Sequence, residues 1–317
     1  MSFADTLRSV LRGEQTDEAI KTFLVNLNET GLTSGHVRIG VEIMRETMVP
    51  AHIPDAIDIV GTGGTGLHTL SVSTATAFVC AGAGARVAKH GNRAASSLTG
   101  TADTLEFLGV NLAINPEKVA ECVNRAGIGF LFAPNHHPAM CHVARARKVI
   151  GKRTLFNLLG PMSNPANTKR MLVGVNKDDW RHLMAEAFAT LDMEHVWVVH
   201  GADGMDEITT TGPTFISEIR NATVEEFEIN PLSYGLELSS LADLAGAEPT
   251  VNAERLWALL DGEHTAYRDI VILNAGAALF IAGRVDDIAT GMDMAVDAID
   301  AGRAKAALEK LIEASNG

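Results

Sequence analysis

The chain has 317 residues, with 26 Lys plus Arg against 39 Asp plus Glu and a formal charge of −13 at pH 7. That length suits one large domain or two smaller ones around a sizeable core, and 46% hydrophobic with 21% charged residues excludes a disordered chain. The acidic total argues against nucleic acid or an anionic membrane as partner, while leaving room for a small anion in a local cationic pocket.

The first fifty residues read as helix. Ile20, Phe23, Leu24 and Leu27 recur at helical spacing, and Val37, Val41, Met44 and Met48 repeat it. Gly31 and Thr33-Ser34 supply a stop and a start, and Pro50 and Pro54 close the segment. From Asp58 onward short apolar runs at 57–60, 86–88, 129–132 and 196–199 read as buried strands alternating with helices, which predicts parallel pairing through right-handed crossovers. Residues 209–219 and 223–229 read as strands nearer an edge, and 286–315 as amphipathic helix. The expected fold class is α/β, with a mostly parallel sheet flanked by helices beside a helical lobe. Cys80, Cys122 and Cys141 form no CxxC pair, which points to a reducing compartment. Residues 1–5 lack the features of a signal peptide, and the apolar stretch 270–283 is shorter than the roughly 18 residues of a membrane span. A cytoplasmic location with no membrane association is expected.

Four places carry chemistry. The strand end at Val60 runs into Gly61-Thr62-Gly63-Gly64-Thr65-Gly66, and Ser71, Ser73 and Thr74 precede the apolar run 75–81. Glycines admit close backbone approach, and a helix N-terminus rimmed with hydroxyls suits an anion. A capped strand-to-helix turn is the bland alternative. Gly61, Gly63 and Gly66 also satisfy the dinucleotide pattern GxGxxG, but that pattern needs an acidic residue about twenty positions later. Here the region is Arg86-Val87-Ala88-Lys89-His90-Gly91-Asn92-Arg93, without a carboxylate. Lys89 to Arg93, followed by Ser96, Ser97, Thr99 and Thr101, instead offers the point charge and many donors that a phosphate or diphosphate requires. The third place is His136-His137-Pro138 followed by Arg145, Arg147, Lys148, Lys152 and Arg153, the densest basic stretch. Most of it reads as a solvated helix face, and no ligand spacing supports zinc. The fourth is Asp206-Glu207 after a buried strand, hard oxygen ligands suited to Mg²⁺ when phosphates complete the shell, and otherwise surface polarity.

Taken in order, these elements resemble the anthranilate phosphoribosyltransferase family of tryptophan biosynthesis. The resemblance rests on Gly61 to Gly64, Ser73-Thr74, Lys89 to Arg93, Ser96-Ser97, His137-Pro138-Ala139-Met140 and Arg147-Lys148. It continues through Arg153 to Pro161, Asn164-Pro165 and Gly204-Met205-Asp206-Glu207. It implies a small helical domain of residues 1–52 plus about 138–163, a large α/β domain of 53–137 plus 164–317, and a homodimer formed through the small domains. The implied substrates are anthranilate and 5-phosphoribosyl 1-diphosphate, with Mg²⁺ as two ions. Carried over by residue, Gly61, Gly64, Thr65, Thr69, Ser71, Val72, Ser73, Thr74, Lys89, His90, Gly91, Asn92, Arg93, Ala94, Ala95, Ser96, Ser97 and Thr101 would hold the phosphoribosyl diphosphate. Ser73, Asp206 and Glu207 would serve magnesium, and Gly61, Asn92, His137 and Arg147 would meet anthranilate. Thr65 stands where the family commonly carries Asp, and Ser71 where it commonly carries Asn; the first change removes a charge.

The implied chemistry displaces diphosphate from ribose C1 by an aromatic amine that is neutral at pH 7, so no general base is expected. Lys89 and Arg147 would act by electrostatics and positioning. Two rivals share the fold: pyrimidine nucleoside phosphorylases, and a non-enzymatic nucleic-acid-binding relative. Lys89-His90-Gly91-Asn92 and the Arg147 region favour the transferase over the first, and the net charge with an intact Asp206-Glu207 pair disfavours the second.

Overall fold

A computed structural model describes residues 2–94 and 98–317. The chain opens with three helices, α1 (Phe3–Leu11), α2 (Asp17–Thr30) and α3 (Ser34–Thr47). Ser2, Thr16 and Thr33 cap them by accepting backbone N–H groups, so the start signal at Thr33 does what its chemistry predicts. Next come β1 (Ile57–Gly61), α4 (Val72–Gly82), β2 (Val87–Gly91), α5 (Thr101–Phe107), α6 (Pro116–Ala126) and β3 (Ile128–Phe132). After α7 (Ala133–His136) and a 3-10 turn at Pro138–Met140, α8 (Cys141–Ile150) and α9 (Leu155–Met162) return to the first three helices. The chain continues through β4 (Arg170–Gly174), α10 (Asp178–Phe188), β5 (His195–Gly201), β6 (Thr214–Arg220) and β7 (Thr223–Ile229). It ends with α11 (Pro249–Leu260), α12 (Ala266–Ile281), α13 (Ile288–Asp300) and α14 (Arg303–Asn316).

The strands form one seven-stranded sheet in the order β3-β2-β1-β4-β5-β6-β7. β1 to β5 run parallel, whereas β6 and β7 are antiparallel hairpin additions. The chain fills one side from β1 outward and then returns to place β4 on the other side. The carboxyl ends of β1 and β4 are therefore the switch point where open α/β sheets bind ligands. The parallel strands are buried on both faces, as their unbroken apolar runs require. β7 is exposed along nearly its whole length and carries Glu225, Glu226 and Glu228, charges that guard a sheet edge.

Two large cores flank the sheet. One gathers α4, α12, α13 and α14 around Phe78, Leu273 and Leu308. The other joins Leu7, Leu24, Val41 and Leu159 of the helical segment to Met171, Val173 and Val196 of β4 and β5, with α10 between. The helical segment is thus seated on one face of the sheet. Backbone bonds from Val49 to His136 (2.7 Å) and from Ala51 to Pro165 (3.0 Å) tie its connections together.

Three details differ from the sequence reading. β4 lies in a run that the strand assignment did not single out; its five residues are central only because tertiary pairing with β1 and β5 makes them so. The segment 209–213 is loop, since its threonines hydrogen-bond side chains instead of a neighbouring strand. The tail is two helices broken at Gly302, which adopts φ +71°. Among the described residues no helix is long and apolar enough to cross a membrane.

Candidate active site

β1 and β4 end side by side in Gly61 and Gly174, which pair in register. A Cβ at Gly61 would collide with the Asp206 carboxylate, and one at Gly174 with the Asp206 backbone. Glycine at both strand ends is what lets the loop after β5 cross over them. Asp206 Oδ2 then accepts the Gly63 N–H at 2.7 Å, joining that loop to the glycine loop. Asp203 braces the crossing loop by accepting from Thr209 Oγ1 (2.7 Å) and Thr211 Oγ1 (2.6 Å). Asn274, fully buried on α12, holds the Ile208 peptide on both sides: its Oδ1 accepts at 3.0 Å and its Nδ2 donates at 2.7 Å.

Lys89, on β2, is only 2% exposed. Its Nζ donates to Ile59 O at 2.5 Å and to Ser73 Oγ at 3.2 Å. The backbone N–H of Ser73 lies on the side of the Glu207 carboxylate and favours its charged form. Burial pushes the Lys89 ammonium below its usual range, opposed by Asp58 first, then Glu207 and Asp206. Asp58 is fully buried and pushed up to about 6 by that burial. The charge of Lys89 and bonds from Asn164 Nδ2 (2.7 Å) and the His90 N–H (3.1 Å) oppose the rise.

Asp206 and Glu207 are half-buried at the cleft floor. Lost hydration raises both, and in Glu207 that burial, with the neighbouring Asp206 charge adding to it, brings the group to about 8. Two adjacent carboxylates held above their normal range fit a divalent cation, which would supply the missing countercharge. Among the described residues no group of three or more His, Cys, Asp or Glu gathers at metal range. Two carboxylates and a hydroxyl thus leave most of an octahedral shell to substrate oxygens and water, the pattern Mg²⁺ favours.

The remaining sequence candidates fall into three groups. Around the glycine loop, Thr65 Oγ1 accepts the Leu67 N–H (3.2 Å), and Thr69 bridges to Ala245. α4 begins at Val72, so Ser73 and Thr74 lie in its first turn. Ser71 does not cap it: the hydroxyl meets Thr104 Oγ1 at 3.1 Å, and the carbonyl accepts from Tyr267 Oη at 3.0 Å.

Beyond β2, Asn92 Oδ1 accepts the Arg93 N–H (2.8 Å), and Asp103 collects the N–H groups of Ala94 (3.0 Å) and Gly100 (2.9 Å) below Thr101. The Arg93 guanidinium is engaged by Asp103 (3.2 Å) and Glu106 (2.7 Å). Ala95, Ser96 and Ser97 lie outside the described residues.

In the third group, the buried His90 and His137 rings face each other with centroids 5.1 Å apart. Burial drives His90 well below its normal value and His137 to about 4, so both are neutral at physiological pH. Arg147 is half-buried over the Phe156 ring at 5.8 Å and has no ion pair among the described residues. Its neighbour Arg145 pairs with Asp17 at 3.0 Å.

Sequence reasoning missed Asn274, Tyr267 and Asn176 as parts of this site. Asn274 did leave a signal, as the lone hydrogen-bonding side chain in the apolar stretch 270–283. Asn176, whose Nδ2 donates to Gly64 O at 3.1 Å, left none.

The family model described as "Glycosyl transferase family, a/b domain" matches residues 53–305. An anthranilate phosphoribosyltransferase of Parvibaculum lavamentivorans is 50% identical over 309 residues, covering 97% of this chain and 91% of that protein. The anthranilate phosphoribosyltransferase structure from Thermus thermophilus superposes with a TM-score of 0.94 at 37% identity, covering 99% of this chain and 95% of the other. The Saccharomyces cerevisiae enzyme in complex with PRPP and Mg gives a TM-score of 0.90 at 26% identity over 99% and 92% of the two chains. The same yeast enzyme has been solved with 4-fluoroanthranilate. This chain belongs to the anthranilate phosphoribosyltransferase family.

Proposed function

We propose that the cleft at the carboxyl ends of β1, β2, β4 and β5 is where this chain joins its two substrates. The chain transfers the phosphoribosyl group of 5-phosphoribosyl 1-diphosphate to the amine of anthranilate, giving N-(5-phosphoribosyl)anthranilate and diphosphate, a Mg²⁺-dependent pentosyl transfer of tryptophan biosynthesis. The observation that carries the site reading is one junction: Lys89 donates to Ser73 within the field of Glu207 and Asp206, and Asp206 is bonded to Gly63 of the glycine loop.

In this reading Gly61 to Thr65, Thr69, the first turn of α4 and the segment 89–101 hold the phosphoribosyl diphosphate. Their hydroxyls and N–H groups replace water around its anionic oxygens. Ser73, Asp206 and Glu207 would hold magnesium, as two ions, which supplies charge neutralisation at the departing diphosphate. Lys89 adds a fixed positive charge whose position is set by Ile59 O and Ser73. Arg147, which has no ion pair among the described residues, holds the anthranilate carboxylate, with Gly61, Asn92 and the neutral His137 around the ring. Attack needs no base, because the aromatic amine carries a free lone pair, and catalysis rests on alignment of amine and C1.

We infer further that residues 1–52 with about 138–163 act as a small helical lobe, that two chains pair through these lobes, and that the enzyme works in the cytoplasm. The decisive assay follows anthranilate fluorescence with purified protein, PRPP and Mg²⁺. Consumption should require all three, whereas phosphorolysis of thymidine or uridine in place of it would transfer the site to a nucleoside phosphorylase reading.

A further inference from the structure

We propose that Arg153, reaching from the segment between α8 and α9, is a positioning residue that sets the glycine loop in its phosphate-binding conformation; this rests on the functional reading above. Its guanidinium Nη2 donates to Gly63 O, and Nη1 donates to Asn176 Oδ1 at 2.8 Å. The group lies over the Trp180 ring at 4.9 Å, and Asn28 on α2 holds the Arg153 carbonyl at 2.8 Å. Arg153 is therefore gripped by α2, α10 and the end of β4 while its charged edge touches the glycine loop. A Cβ at Gly64 would strike this guanidinium, so glycine there is also a consequence of Arg153.

Peptide planarity makes the contact consequential. No cis peptide is present among the described residues, so each C=O and the following N–H point in opposite directions. Gly63 N–H is bound to Asp206, Gly63 O to Arg153 and Gly64 O to Asn176, which fixes three consecutive peptide planes. With both carbonyls drawn to one side, the N–H groups of Gly64 and Thr65 are turned to the other. Neither makes a hydrogen bond within the protein among the described residues. Two free donors at a strand-to-helix turn are what a phosphate oxygen needs. Because Gly63 and Gly64 have φ of +65° and +62° and are exposed, the loop has little else to hold it in that shape. Arg153 also has no ion pair among the described residues, and the Asp206 charge nearby favours its ionised form.

Steady-state kinetics of Arg153→Ala and Arg153→Lys, with hydrogen exchange of the Gly63 amide, test this. Arg153→Ala should raise KM for PRPP about tenfold or more, with KM for anthranilate moved less than threefold. Arg153→Lys should recover only part, since an ammonium lacks the planar fork that reaches two acceptors. The Gly63 amide, protected by its bond to Asp206, should exchange faster in Arg153→Ala while global melting stays unchanged. The proposal is overturned if KM for PRPP stays within twofold, or if both KM values rise together with a lower melting temperature. Should the parent chain fail to consume anthranilate at all, the functional reading falls, and amide exchange alone still decides whether Arg153 orders the loop: unchanged exchange overturns it.

Discussion

Arg147 and Glu207 show how a single side chain is set apart by what its neighbours withhold. Arg147 is half-buried over Phe156 with no ion pair among the described residues, so its charge is open to a carboxylate ligand. Arg147→Ala should raise KM for anthranilate about 30-fold or more while changing KM for PRPP little, as read by steady-state fluorescence. Asp206→Asn combined with Glu207→Gln should lower kcat about 100-fold and flatten its dependence on Mg²⁺ concentration. A double variant with normal turnover and an unchanged magnesium curve would disprove the metal assignment. Glu207 also links stability to pH. It keeps its proton up to about 8 in the native state, against 4.5 for the unperturbed group, so the folded chain binds more protons between those values. Stability of the metal-free protein therefore falls as pH rises through that window. Glu207→Gln removes this fall, with Asp58 still present as countercharge to Lys89. Its Tm should exceed the parent's by about 2 °C or more at pH 8 and nearly match it at pH 4.

At the scale of elements, α12 is the hidden support of the site. It lies beneath the sheet in the larger core, yet Asn274 clamps Ile208 directly after the acidic pair, and Tyr267 at its first turn holds the carbonyl that precedes α4. Asn274→Ala would leave the Ile208 N–H and C=O buried without partners. Calorimetry should show a fall in Tm of about 3–10 °C, with a higher Mg²⁺ requirement in the same variant. The glycine-terminated strands β1 and β4 make the complementary contribution, clearing the space that the acidic loop crosses. The strands at 57–60, 129–132 and 196–199 were legible because a strand buried on both faces leaves an unbroken apolar run. The break in the tail at Gly302 was not, because amphipathic periodicity continues on both sides of it.

For the whole molecule, a charge of −13 coexists with a cleft that must attract a substrate bearing several negative charges. The proposed reconciliation is local: Lys89 and Arg153 lie beside the glycine loop with Arg147 assigned to anthranilate, while Glu225, Glu226 and Glu228 lie on the exposed β7 edge. Pairing through the helical lobes predicts a sedimentation mass of about 67 kDa, twice the 33.7 kDa chain. A single species at the monomer mass across micromolar concentrations would refute it.

By itself the sequence determined the parallel α/β class, the helical start and the family, and it singled out the residue types proposed here to meet the diphosphate and the metal. Those features are written in local spacing: glycines after a strand, hydroxyls before a helix, and acids after a buried run. Only the tertiary structure decided that Asp206 bonds Gly63, that Lys89 meets Ser73 within the field of Glu207, and that Arg153 and Asn274 hold the two loops. Each of those contacts joins residues far apart in the chain, and which ones meet depends on strand order and the burial of whole helices, quantities that no local pattern encodes.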